Sequence, residues 1–264
     1  MAVASNGDVE IYYEEHGEGV PVMLITGLGG VGRAWGAMTQ RFSERYHTIV
    51  PDHRGTGQSS KPDPSDVPYT TAALAADMAE AIREIGCGPA HIVGSSTGGA
   101  FAQMMALDHP DVVRSIAVTS SWMVADDHFR HQFAARKQVL LEAGPQAYSE
   151  TSALFLHSPG FFRDHYDVVR AWCDRSKAGT DRDIMAARID MIVAHDTSGR
   201  LAEVSVPTLV LVGEEDVCTP PVLSREVADA IPGAEYVEMP GGHLIYKENP
   251  DVFFDIVTGF IDRN

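Results

Sequence analysis

Residues 94–98 read Gly-Ser-Ser-Thr-Gly, a G-x-S-x-G pattern centred on Ser96. A serine hydroxyl is a poor nucleophile until a neighbouring base takes its proton, and that base is usually a histidine held by a carboxylate. An acid and a histidine elsewhere in the chain must therefore complete the set. The apolar run PTLVLVG at 207–213 leads into Glu-Glu-Asp, ending at Asp216, and the run AEYVEMP at 234–240 leads into Gly-Gly-His, ending at His243. Ser95 is the rival nucleophile, but the two glycines centre on Ser96. Glu214, Glu215, Asp126 and Asp127 compete with Asp216 for the role of acid. Among eleven histidines, His243 is set apart by its place after a strand-like run and by the Gly241-Gly242 approach. Acyl transfer also needs N–H groups aimed at a developing oxyanion. The run VPVMLITG at 20–27 enters the glycine-rich stretch LGGVG, where the backbone N–H of Leu28 is the expected donor. Its partner is the N–H of Thr97, at the open amino end of a helix.

These groups need a scaffold that brings distant segments to one edge. Short, continuously apolar runs at 20–27, 47–53, 91–95, 114–120 and 207–213 have the character of strands covered on both faces. Between them, residues 70–86 and the run from Thr97 to Leu107 have helical spacing. The alternation predicts an α/β fold: a mostly parallel central sheet with helices on both faces. Ser96, Asp216 and His243 then follow the carboxyl ends of strands, where open α/β sheets hold their ligands. For a nucleophile on a strand-to-helix turn, the chain order Ser, Asp, His is the expected one.

The alternation lapses between Trp122 and Glu203. Residues 122–203 read as a helical cap inserted into a core made of residues 1–121 and 204–264, placed as a lid over one edge of the sheet. Within it Trp122, Phe155, Leu156, Phe161 and Phe162 are candidates for an apolar pocket wall, and Arg130 or Arg136 for meeting a substrate carboxylate.

A chain of 264 residues, 44% hydrophobic and 22% charged, fits one domain with an insertion. No apolar run approaches the length of a membrane-spanning helix, and the first residues resemble no signal or lipidation motif, so a cytoplasmic location is expected. The net charge of −17 and the lack of any basic run speak against nucleic acid and against anionic membranes. A small anionic substrate is not excluded, because a local arginine outweighs a distant field screened over roughly 10 Å. Cys87, Cys173 and Cys218 are widely spaced, which predicts neither a disulfide framework nor a zinc site. No metal or organic cofactor is expected, a small molecule is the expected partner, and a homodimer stays open.

Together these segments resemble the α/β-hydrolase family over nearly the whole chain. ITGLGG is similar to its oxyanion loop, DHRGTGQS at Asp52–Ser59 to its Asp-x-Arg-Gly-x-Gly-x-Ser segment, GSSTGG to its nucleophile turn, LVGEEDVCTPP to its acid strand and GGH to its histidine loop. The resemblance implies a triad of Ser96, Asp216 and His243. Where most members have His-Gly, this chain has Thr26-Gly27, which puts the loop's supporting hydrogen bonds in question. The segment 122–162 is similar to the cap of the aminoacrylate hydrolases of pyrimidine breakdown, with the 3-oxoadipate enol-lactonases nearly as close. That implies a small acidic ester, lactone or amide as substrate. Carbon–carbon bond hydrolysis and perhydrolysis with the same triad are the alternatives, and a non-catalytic ligand cup is the reading from another class.

Overall fold

The computed structural model describes residues 2–264, the side chains of residues 177 and 178 excepted. Eight strands form one sheet: β1 (Ala2–Asn6), β2 (Val9–His16), β3 (Pro21–Ile25), β4 (His47–Pro51), β5 (Ala90–Ser95), β6 (Val113–Thr119), β7 (Thr208–Gly213) and β8 (Glu235–Met239). Their order is β1-β2-β4-β3-β5-β6-β7-β8, parallel from β4 to β8. The sheet, its helices and the central apolar strands match the sequence expectation.

The antiparallel pair β1 and β2 is an addition to that expectation, and β2 in turn runs antiparallel to β4. Two signals announced it. The residues VEIYYEEH alternate between buried and exposed at their start, and Asn6-Gly7 precedes them, with Gly7 at φ 62° in the two-residue loop.

Alternate residues of the central strands feed two cores, as the strand period of two demands. Met23, Ile25, Ile49 and Ile92 face α2 (Thr71–Ile85), α3 (Thr97–Asp108) and α8 (Pro221–Ala230) through Leu74, Met78, Phe101 and Val227. Val22, Leu24, Val50 and Val93 face α1 (Ala37–Ser43) and α10 (Pro250–Ile261) through Phe42, Phe253 and Val257. On α2, Asp77 is fully buried and grips Arg54 in a two-pronged pair, Nε to Oδ2 at 2.9 Å and Nη2 to Oδ1 at 2.7 Å.

Between β6 and β7 stand α4 (Asp127–Leu156), α5 (Pro159–Asp164), α6 (Tyr166–Ala178) and α7 (Arg182–Ala194). Asp126 starts α4 by accepting from the Phe129 N–H at 2.7 Å, and the helix breaks at Gly144, φ 86°, ahead of Pro145. The break folds α4 into two arms. Beyond the second arm the insertion is tied to the sheet edge: the Leu244 N–H donates to the Leu156 carbonyl at 3.2 Å. Glu248, on the short helix α9 (Ile245–Glu248), accepts from the Ser158 N–H and the Gly242 N–H, each at 2.9 Å. Burial works to raise the Glu248 carboxyl, but donors from His157, Gly242 and Ser158 outweigh it and hold the carboxyl below its ordinary 4.5.

Two outcomes follow from these buried ions. Removing one partner of a buried pair strands the other charge, so Asp77→Ala is expected to cost about 3–5 kcal/mol in urea unfolding. A carboxyl depressed in the folded state contributes stability that is complete above its unfolded value and lost as pH falls through the folded one. The Glu248 contribution is therefore present above about pH 4.5 and fades below it. Glu248→Gln lacks it, so the gap in Tm between wild type and variant is expected to narrow on titration from neutral pH toward about pH 3.

Candidate active site

Ser96 occupies the turn between β5 and α3 at φ 57°, ψ −117°, and only Ser120 among the other described non-glycine residues has a positive φ. A conformation of this kind costs roughly 1–3 kcal/mol and persists only when neighbours over-determine it. Here the Ser96 N–H donates to the Thr119 carbonyl at 2.7 Å, and the Ser96 carbonyl accepts from the Gly99 N–H at 2.8 Å and from Ser121 Oγ at 3.0 Å. The flanking glycines are steric requirements. A Cβ at Gly94 would overlap the Gly98 carbonyl, and one at Gly98 would overlap the Ile25 carbonyl.

The loop after β3 passes directly over this turn, since a Cβ on Gly27 would lie 3.2 Å from the Ser96 Cβ. Among the described residues, neither the Leu28 N–H nor the Thr97 N–H donates to a protein acceptor. The N–H groups of Leu28, next to Gly27, and of Thr97, next to the half-buried Ser96, are thus free donors.

Asp216 follows β7 and is coordinated by four donors: the Cys218 and Thr219 N–H groups on Oδ1, each at 2.9 Å, and Thr219 Oγ1 at 2.9 Å and His243 Nδ1 at 2.8 Å on Oδ2. An ionised carboxylate only accepts, so Nδ1 of His243 carries the hydrogen and Nε2 keeps a lone pair for a proton. A Cβ on Gly213 would overlap the carbonyls of Gly241 and Gly242, so only glycine lets the end of β7 pack against the histidine loop. Ser96, Asp216 and His243 stand at the carboxyl ends of β5, β7 and β8.

The competing candidates are placed otherwise. Ser95 is buried within β5, Glu214 and Glu215 point to solvent, and Asp126 and Asp127 begin α4, with Asp126 capping it. Of the proposed pocket residues, Trp122 is buried between Phe129 and His195, with ring centroids 4.6 Å and 5.8 Å away. Phe161 and Phe162 pack on a separate cluster of Ala153, Val169 and Cys173, and Leu156 lies against both main cores. Arg130 is exposed and holds the Ala125 carbonyl at 3.1 Å. Arg136 is buried, its guanidinium 4.4 Å from the Phe133 ring centre, with Nη2 on Ser152 Oγ at 3.1 Å and Nη1 on Cys218 Sγ at 3.6 Å. Phe155 and Arg136 line a cavity of about 240 Å³ with His128, His131 and Gln132. Burial pushes the Cys218 thiol up to about 12, so it stays protonated beside the acid.

Several residues near these loops were not singled out by sequence reasoning: Ser121, Thr219, Glu248, His53 and Arg188. Arg188 carried a usable signal. It lies on the same helical stripe as Met185 and Ile192, where a charge interrupts an apolar face.

The sequence profile of the alpha/beta hydrolase fold matches residues 20–250. The protein named "Putative carbamate hydrolase RutD" from Azorhizobium caulinodans is 35% identical over 98% of both chains. Its namesake from Caulobacter vibrioides is 31% identical over 96% of this chain and 95% of that one. Among solved structures, the enol-lactonase from Burkholderia xenovorans LB400 superposes with a TM-score of 0.91 at 24% identity, covering 99% of this chain and all of that one (100%), a likeness of fold. A thermophilic esterase from Thermogutta terrifontis, with malate bound, superposes with a TM-score of 0.86 at 26% identity, covering 99% and 97%. On a profile that spans most of its length and relatives alike from end to end, the chain belongs to the α/β-hydrolase family.

Proposed function

We propose that the protein is a serine hydrolase that cleaves a small anionic ester, lactone or amide-type bond, carbamates included, through an acyl-enzyme on Ser96. The observation that carries this reading is the hydrogen-bonded Asp216–His243 pair at the same sheet edge as a strained serine, with the N–H groups of Leu28 and Thr97 left free. Ser96 Oγ attacks the carbonyl carbon while His243 Nε2 takes its proton. The carbonyl oxygen becomes an oxyanion held by the Leu28 and Thr97 N–H groups, and Asp216 steadies the imidazolium. The tetrahedral intermediate collapses, the carbon–heteroatom bond breaks, and His243 returns the proton to the leaving group. Water, deprotonated by His243, then attacks the acyl-enzyme, and the acid and free Ser96 are released.

Residues 122–203 serve in this reading as the cap over a core of residues 1–121 and 204–264. Support for a small substrate comes from the relatives, named for a carbamate hydrolase and an enol-lactonase. Support for an anionic one comes from the malate bound to the similar esterase.

The test is hydrolysis of p-nitrophenyl esters from acetyl to decanoyl by wild type, Ser96→Ala and Asp216→Asn, with labelling by a fluorophosphonate. Turnover is expected to fall with acyl length, to drop by about 10⁴-fold or more in Ser96→Ala and by about 10⁴-fold in Asp216→Asn, and the label is expected on Ser96. An unlabelled Ser96 together with turnover equal to that of Ser96→Ala would refute the acyl-enzyme. With turnover established, carbamates and enol-lactones with and without a carboxylate identify the substrate class.

A further inference from the structure

Arg188 comes from the middle of α7 and is fully buried, yet among the described residues no carboxylate accepts from it. Its donors are directed elsewhere. Nε donates to the Leu28 carbonyl at 3.2 Å, Nη1 to the Arg54 carbonyl at 2.8 Å, and Nη2 to His53 Nδ1 at 2.9 Å. Burial brings the guanidinium down to about 10, so it is still charged at neutral pH. A buried cation without a counter-ion is costly, and its retention calls for a use.

The geometry around it supplies one. A guanidinium only donates, so His53 Nδ1 must accept and His53 Nε2 must carry the hydrogen, which faces Thr26 Oγ1 at 3.4 Å. Burial and the Arg188 charge hold His53 well below its ordinary range, consistent with a neutral ring in that tautomer. The backbone N–H of His53 and Thr56 Oγ1 both donate to the Gly30 carbonyl, at 2.7 Å and 2.8 Å. Gly30 itself has φ 71°, and a Cβ there would lie 2.8 Å from Arg188 Nη2. Thr26, Leu28 and Gly30 are thus three alternate points of one loop, all tied to Arg188 directly or through His53. Gly27, which passes over Ser96, and Leu28 are held between them.

We propose that Arg188 is a positioning residue for the oxyanion hole: reaching from the inserted helices, it fixes the 26–30 loop so that the Leu28 N–H faces Ser96. Its charge, unneutralised by any carboxylate among the described residues, also favours negative charge at that position. The proposal rests on the serine hydrolase reading for its catalytic meaning, and on the hydrogen bonds alone for its structural one.

The experiment compares wild type, Arg188→Lys, Arg188→Met and Arg188→Ala by kcat and KM on p-nitrophenyl acetate, by Tm, and by amide hydrogen exchange across residues 26–30. Misplacing one group of a preorganised site costs on the order of 10²-fold. In Arg188→Met, kcat is expected to fall by about that factor with KM nearly unchanged, and exchange at residues 26–30 to quicken. Arg188→Lys keeps the charge but not the three-way grip, so a smaller loss is expected. Millimolar guanidinium is expected to restore part of kcat in Arg188→Ala by refilling the site, a response that general loosening of the fold does not give. Should Arg188→Met not fold, the lysine variant and the rescue decide. A folded variant with wild-type kcat, or with unchanged exchange at residues 26–30, overturns the proposal, and so does a rise in KM at constant kcat, which would make Arg188 a substrate ligand. Failure of wild type to label at Ser96 defeats the hydrolase reading instead, while hydrogen exchange still decides whether Arg188 holds the loop.

Discussion

Backbone passes backbone at Gly94, Gly98 and Gly213 with no room for a Cβ, and the site depends on those three approaches. At Gly94 and Gly98 the chain turns from β5 into α3 so tightly that Ser96 is forced to a positive φ and projects from the sheet edge. The same closeness brings the carbonyls of Ile25, at the end of β3, and of Thr26 onto the start of α3, so the loop that follows lies close to Ser96. At Gly213 the end of β7 rests on the Gly241 and Gly242 carbonyls, which brings Asp216 and His243 within a hydrogen bond of each other. Strain at Ser96 is therefore not a local accident. It is held by bonds from Thr119, Gly99 and Ser121, which belong to the neighbouring strand, the following helix and the loop after β6.

The helical insertion contacts each of the three loops through a different side chain or carbonyl. Gln132 donates to the Cys218 carbonyl at 3.1 Å, beside the acid. Leu156 and Ser158 hold the histidine loop, one directly and the other through Glu248. Arg188 holds the loop after β3. Rigid displacement of the whole insertion would break all three sets of bonds at once, taking the guanidinium of Arg188 from its three acceptors and the Ser158 N–H from Glu248. Access by partial opening of one arm of α4, which already breaks at Gly144, disturbs fewer of them. The insertion thus buttresses the loops after β3, β7 and β8.

How much of this the sequence showed depends on the range of the interaction involved. The central strands were evident because burial on both faces leaves continuous apolar runs, and the turn at Ser96 was evident because its glycines are needed by contacts four residues apart. The pair β1 and β2 leaves a weaker trace, Asn6-Gly7 and an alternating run, because a half-exposed edge strand carries no continuous apolar run. Trp122, Phe161 and Phe162 were read as pocket wall from their type and position in the insertion. Which helical face is turned to a cavity and which to a neighbouring helix is set by tertiary packing, and Phe161 and Phe162 went to a cluster with Val169 and Cys173. His53 and Arg188 were hidden for a similar reason: they are 135 residues apart, and only the fold makes them a pair.

The change from His-Gly to Thr26-Gly27 illustrates how such a pair resolves a local question. Read alone, a threonine ahead of Gly27 takes away an imidazole that the resemblance would lead one to expect there. In the folded chain an imidazole is present all the same, supplied by His53 from the segment after β4 and turned toward Thr26 Oγ1. Its orientation is not free, since Arg188 on one side dictates the tautomer and burial keeps the ring neutral. The whole protein carries a formal charge of −17, yet the side chains bonded to this loop include a neutral ring and a guanidinium that no carboxylate meets among the described residues. Charge at the surface is screened over roughly 10 Å by salt, whereas a buried cation is screened far less. The acidic exterior therefore weighs less on this loop than the Arg188 guanidinium bonded to the Leu28 carbonyl.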